Sequence, residues 1–90
     1  MLRKEVVYTR SAAALSGVPM ELEYLLLCRD GPEGPPEYGV GIRCRTPESC
    51  EEDCVHGVTP RRARAMELLS VLAEGTVTPV SLREILQDVL

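Results

Sequence analysis

Neither phenylalanine nor tryptophan occurs among the 90 residues, and Tyr8, Tyr24 and Tyr38 are the only aromatics. Large rings supply much of the burial in small cores, so this interior must be built from aliphatic side chains. A domain of this length buries only roughly 60–65% of its unfolded surface. Its core is thin, and self-association is a natural remedy. No apolar run approaches the ~20 residues needed to cross a bilayer. The N-terminus carries Arg3, Lys4 and Glu5 with no signal-type apolar stretch behind them. A net charge of −4 opposes general affinity for nucleic acid or anionic membrane, since both depend on Lys and Arg neutralising phosphates. The expectation is therefore a cytoplasmic chain without nucleic-acid or membrane partners. In a reducing compartment its four cysteines are thiols or metal ligands before they are disulfides.

What is present divides by period. Residues 2 to 10 alternate as a strand, with Leu2, Lys4, Val6 and Tyr8 on one face and Arg3, Glu5, Val7 and Thr9 on the other. Ser11 to Pro19 is a breaker region in which Ala12-Ala13-Ala14 has room for one helical turn. Met20 to Cys28 is a second strand. Its inner face is Met20, Leu22, Tyr24, Leu26 and Cys28, and its other face turns from Glu21 and Glu23 to Leu25 and Leu27. That change predicts cover on both sides of the strand's far half. Arg29 to Glu37, rich in Gly and Pro, is a loop. Tyr38 to Arg45 is a third strand with Tyr38, Val40, Ile42 and Cys44 inward, antiparallel to the second.

The dipeptide Thr-Pro recurs at 46–47, 59–60 and 78–79. Thr is a good N-cap, and Pro at the first helical position gives up only an N–H that would be orphaned anyway. After the second site, Ala65, Leu68, Leu69 and Leu72 recur at helical spacing, with Gly75 placed as a left-handed cap. After the third, Leu82, Ile85, Leu86 and Val89 repeat that spacing. Between sheet and helices, residues 47 to 58 read either as a capped turn or, in preference, as a short edge strand from Cys54 to Val58. No linker, repeat or low-complexity tract divides the chain. It reads as a single domain, 1–90, with a β-meander over 1–58 and two helices over 59–90. The fold class is α+β: an antiparallel sheet of three or four strands with a C-terminal αα-hairpin packed on one face.

The tail Leu72-Ala73-Glu74-Gly75-Thr76-Val77-Thr78-Pro79-Val80-Ser81-Leu82, running on to Ile85–Leu90, and the strand Glu37-Tyr38-Gly39-Val40-Gly41-Ile42 resemble a domain-of-unknown-function family of short bacterial proteins. That family is built as a β-meander, a leucine-rich helix, an x-V-[ST]-P-x-x-L link and a closing helix. The resemblance covers the last third of the chain and one strand. It implies the order of elements and no activity, and the four cysteines here depart from it.

Three constellations have chemical potential. Cys44, Cys50, Cys54 and His56 offer four Zn²⁺ ligands at C-x5-C-x3-C-x-H spacing, and neutral His with thiolate Cys suits tetrahedral zinc. A thin core would gain from a metal staple. The usual C-x2-C knuckle is missing, however, and the plainer reading makes Cys28 and Cys44 small buried hydrophobes. Arg61, Arg62 and Arg64 crowd a helix start, where free N–H groups and guanidinium heads describe an anion site. The plainer reading is neutralisation by Glu48, Glu51, Glu52 and Asp53 upstream. Leu82, Ile85, Leu86 and Val89 form a stripe that either binds a partner or completes the core.

Catalysis would require His56 with Cys54, oriented by Glu51, Glu52 or Asp53. There is no Gly-rich phosphate cradle, no G-x-S-x-G and no H-E-x-x-H. The expectation is a non-catalytic interaction or regulatory module without a cofactor, whose partner is a protein, itself included. A zinc-stabilised protein is the alternative and a thiol enzyme the third choice.

Overall fold

Alternating β-branched and aliphatic residues carry the first two thirds of the chain into strands, and Leu- and Ala-rich helical spacing carries the last third. The computed structural model describes residues 2–30 and 34–89. Four strands, β1 (Leu2–Ala13), β2 (Pro19–Arg29), β3 (Glu37–Arg45) and β4 (Cys50–Thr59), form one antiparallel meander in the order β1-β2-β3-β4. Helix α1 (Arg62–Glu74) follows, then a 3₁₀ turn (Pro79–Ser81) and helix α2 (Leu82–Val89). This is the expected α+β arrangement of a sheet followed by two C-terminal helices. Of the expected loop from Arg29 to Glu37, residues 31–33 lie outside the described residues.

The helices cover one sheet face. Leu22, Tyr24, Leu26, Val40, Ile42 and Cys44 meet Ala65, Leu68, Leu69, Leu72 and Ala73 of α1 and Leu82 and Leu86 of α2 in a single cluster. The chain's one fully buried aromatic ring, Tyr24, donates its hydroxyl to the Val77 carbonyl at 3.0 Å. The polar end of the ring is thereby satisfied while the ring fills the core.

Several local expectations shift. β1 does not stop at Arg10: Ser11 pairs with Glu21 and Ala12 with Met20, so the breaker shrinks to a turn over 14–18 and no helical turn forms. The preferred short edge strand is a full one, Cys50–Thr59, entered through a tight turn in which Ser49 N donates to Thr46 Oγ1 at 3.0 Å. Val6 and Tyr8 do not share a face. A β-bulge lies between them, with Val6 opposite Leu25 and Tyr8 opposite Tyr24. The extra residue, Val7, reverses the alternation. Tyr8 and Val7 thus pack towards the helices, while Lys4 and Val6 share the other face with Leu27 and Leu25.

The helix ends also differ. Thr59 still pairs with Tyr38 in the sheet, so α1 starts later, with Arg61 at the N-cap and no side-chain cap. The Thr59 hydroxyl accepts the Arg61 amide at 3.1 Å instead. At the C-terminus Gly75 remains right-handed (φ −81°), and Thr76 takes the left-handed position (φ +50°). The helix runs through Glu74, so Val77 N bonds Leu72 O and Thr76 N bonds Ala73 O, the two bonds of a Schellman motif. A β-branched residue is strained there. Thr76→Gly is accordingly expected to raise stability by about 0.5–1 kcal/mol after the added unfolded-state entropy is subtracted. Thermal unfolding should show a rise of a few degrees.

Candidate functional site

The sheet face away from the helices has a small core of its own. Leu25 and Leu27 are each only 1% exposed, although the register turns them away from α1 and α2. Opposite them on β3 stand Gly41 and Gly39, which leave the space the leucines fill. Above them runs an ionic chain. Lys4 Nζ lies 2.9 Å from Glu52 Oε2, Arg43 Nη2 lies 2.9 Å from Glu52 Oε1, and Glu23 Oε1 is shared by Arg43 at 3.4 Å and Arg45 at 3.3 Å. Lys4 and Glu52 belong to the two edge strands. On a flat sheet three strand spacings and the four-residue stagger between Gly39, in line with Lys4, and Arg43, opposite Glu52, would set them roughly 20 Å apart, farther than the pair reaches. The sheet must therefore coil, with this face concave.

The Lys4 ammonium first, and the Arg43 guanidinium with it, hold the Glu52 carboxyl below the usual carboxylate range. A carboxylate whose folded-state pKa is depressed adds stability above its unfolded pKa and loses it as pH falls through the folded value. Glu52→Gln should therefore be less stable than the parent at pH 7. The gap should narrow towards pH 3, which thermal unfolding across that range would read.

The expected metal ligands are not gathered. Cys44, paired with Glu51, is buried on the helix side, whereas Cys50 and Cys54 pair with Arg45 and Gly41 on the concave side. Cys50 and Cys54 are separated by roughly 13 Å of strand at ~3.3 Å per residue, and His56 is exposed in the bulge beyond. Among the described residues no group of three or more His, Cys, Asp or Glu side chains stands close enough to hold a metal ion. Burial, then the Glu52 carboxylate, pushes the Cys54 thiol up. Burial, then Glu51, does the same at Cys44. Both shifts disfavour the thiolate that a nucleophile or metal ligand needs.

The three arginines diverge. Arg64 reaches Glu67 at 3.2 Å and the Val89 carbonyl at 3.0 Å. Arg62 approaches Glu5 at 3.7 Å, and Arg61 is exposed. Arg62 alone lines a cleft of about 630 Å³ ahead of α1, together with Arg3, Glu5, Leu26, Cys28 and Tyr38. Within that cleft Arg3 Nη2 is bound to Asp30 Oδ2 at 2.8 Å. Of the α2 stripe, Leu82 and Leu86 are buried in the core, Ile85 is half-buried and Val89 is exposed.

The two sheet edges, which no motif marks, differ from each other. On β4, Arg83 of α2 holds Asp53 at 3.1 Å through Nε and caps the Cys54 carbonyl at 3.1 Å through Nη2. Further along, the strand bulges at Gly57 (φ +62°). β1 is twelve residues long, lies at the other edge and is exposed along most of its length. The sequence signal for its exposure is the crowding of Arg3, Lys4, Glu5 and Arg10 in one strand, but which strand ends at an edge is a matter of topology.

No curated protein and no solved structure matches the chain significantly. A family model does match, from residue 3 to residue 90, so that strands, helices and the Thr-Pro link are all included. The chain belongs to the family of unknown function DUF6514.

Proposed function

We propose that this domain is a non-catalytic protein-interaction module whose binding element is the edge of β1, to which a partner adds an extended strand. The observation that carries this reading is the contrast between the edges. Both strands bulge, at Gly57 and at Val7, but β4 is clamped to α2 by Arg83, which holds Asp53 and the Cys54 carbonyl. β1 is exposed at nine of its twelve residues, and its Thr9 carbonyl is held by the neighbouring Arg10 of the same strand. An edge left in this state is a template for strand pairing, and strand addition is a recurring mode of peptide recognition. The thiols favour a non-catalytic role, since both Cys44 and Cys54 are held towards the neutral form.

The test is to pan displayed random twelve-residue peptides against the protein at low concentration, then map the bound state by amide hydrogen exchange. Selected peptides should protect amides within residues 2–13. Failure to enrich any peptide, or protection confined to α1 and α2, would overturn the reading.

A further inference from the structure

We infer that the strand added to β1 is β1 of a second copy, antiparallel about a twofold axis beside Val7, so that the two sheets continue as one. This inference rests on the strand-addition reading above and names its partner. The bulge is what makes the edge self-complementary. In an antiparallel pair, residues directly opposite each other must share a face. Because Val7 reverses the alternation of β1, the register that sets Val7 opposite Tyr8 of the second copy keeps every further pair on one face. Val6 then meets Thr9 on the concave side, and Glu5 meets Arg10 on the helix side. Lys4 meets Ser11, and Arg3 meets Ala12.

Twofold symmetry makes the Glu5–Arg10 pairing occur twice, and no like charges stand opposite each other. Slipping by one residue in either direction breaks the face match at the centre. One of those slips sets Lys4 against Arg10, and the other places Val6 against Arg10. β4 offers no equivalent surface, since Glu51, Glu52 and Asp53 would repel their own copies.

The present surroundings of the two residues agree with this use. Among the described residues Glu5 has only Arg62 as an ion-pair partner, at 3.7 Å. The Arg10 guanidinium donates to the Thr9 carbonyl at 2.9 Å and has no ion pair among the described residues. Val7 and Tyr8, half-buried at the proposed axis, and Val6, 44% exposed, are the apolar surface that a second copy would cover. For a core with so few rings, that cover is the missing burial.

The experiment is native mass spectrometry with light scattering on the full chain, the single variants Glu5→Arg and Arg10→Glu, their equimolar mixture, and the double variant carrying both. The parent should be dimeric. Each single variant should dimerise at least tenfold more weakly, since like charges then face each other at both pairs. The mixture should regain a heterodimer, and the double variant a homodimer, because opposite charges are restored. Those recoveries exclude misfolding as the cause of the losses. A monomeric parent would overturn the second copy as partner, leaving the strand-addition reading to stand or fall by the peptide selection. A dimer that persists in both single variants, or a mixture that stays monomeric, would also overturn it.

Discussion

Gly39→Ala is expected to destabilise the domain by about 3 kcal/mol, the scale of a forced steric insertion. A Cβ built on Gly39 runs into the Val55 carbonyl oxygen and comes within 2.9 Å of the His56 Cα. Both obstacles are backbone, so no rotamer change relieves them. They are there because β4 bulges across from this residue: Tyr38 pairs with Thr59 and Val40 with Val55, so extra β4 residues crowd opposite Gly39. Gly41→Ala is the informative comparison. Its added Cβ meets Cys54 Sγ at 2.9 Å, a side-chain atom able to move, so the loss should be smaller. Denaturant unfolding of the two variants would check the order. Equal losses would show that the bulge does not hold β4 where the fold places it.

Leu25→Ala is expected to cost about 3 kcal/mol, as much as Leu69→Ala in the main core, since truncating a buried leucine typically costs 2–5 kcal/mol. Leu25 has no helix above it. It is 1% exposed, as against 0% for Leu69, because the coiled sheet brings Lys4, Arg43 and Glu52 across the concave face. Were the ionic chain loose in solution, water would reach Leu25, and the loss would fall well below that of Leu69→Ala. The two variants compared in one denaturant series thus measure whether the concave face is a second core. The surface charge pairs themselves contribute little. Their larger effect is to exclude water from the leucines beneath them.

The period-2 patterns of β2 and β3 were legible because Leu22, Tyr24, Leu26, Val40 and Ile42 all face one buried side. The helical stripes of α1 and α2 were legible for the same reason, although Leu82 and Leu86 proved to be core. The change from Glu21 and Glu23 to Leu25 and Leu27 announced burial on both sides, which the concave face supplies. The Cys/His spacing was suggestive but undecided. Four ligands within thirteen residues converge only if their side chains meet. Although a tight turn folds β4 back on β3, Cys50 to His56 run extended along β4, with Cys44 and Cys54 on opposite faces. Thr59-Pro60 marked a helix start at about the right place. The last sheet pairing, at Thr59, delayed it and moved the N-cap to Arg61.

Local chemistry alone determined the type of β1, β2, β3, α1 and α2, because side-chain period and turn residues act within a few positions of themselves. Over residues 47–58 it left turn and strand both open. It also determined which face of β2 and β3 is apolar. Tertiary structure decided the bulges at Val7 and Gly57 and the coil that joins Lys4 to Glu52. It also decided which strand closes the sheet as a protected edge and which lies open. Each of these depends on how many residues one strand sets against its neighbour. That number is a property of the pair and is not contained in either strand's own sequence.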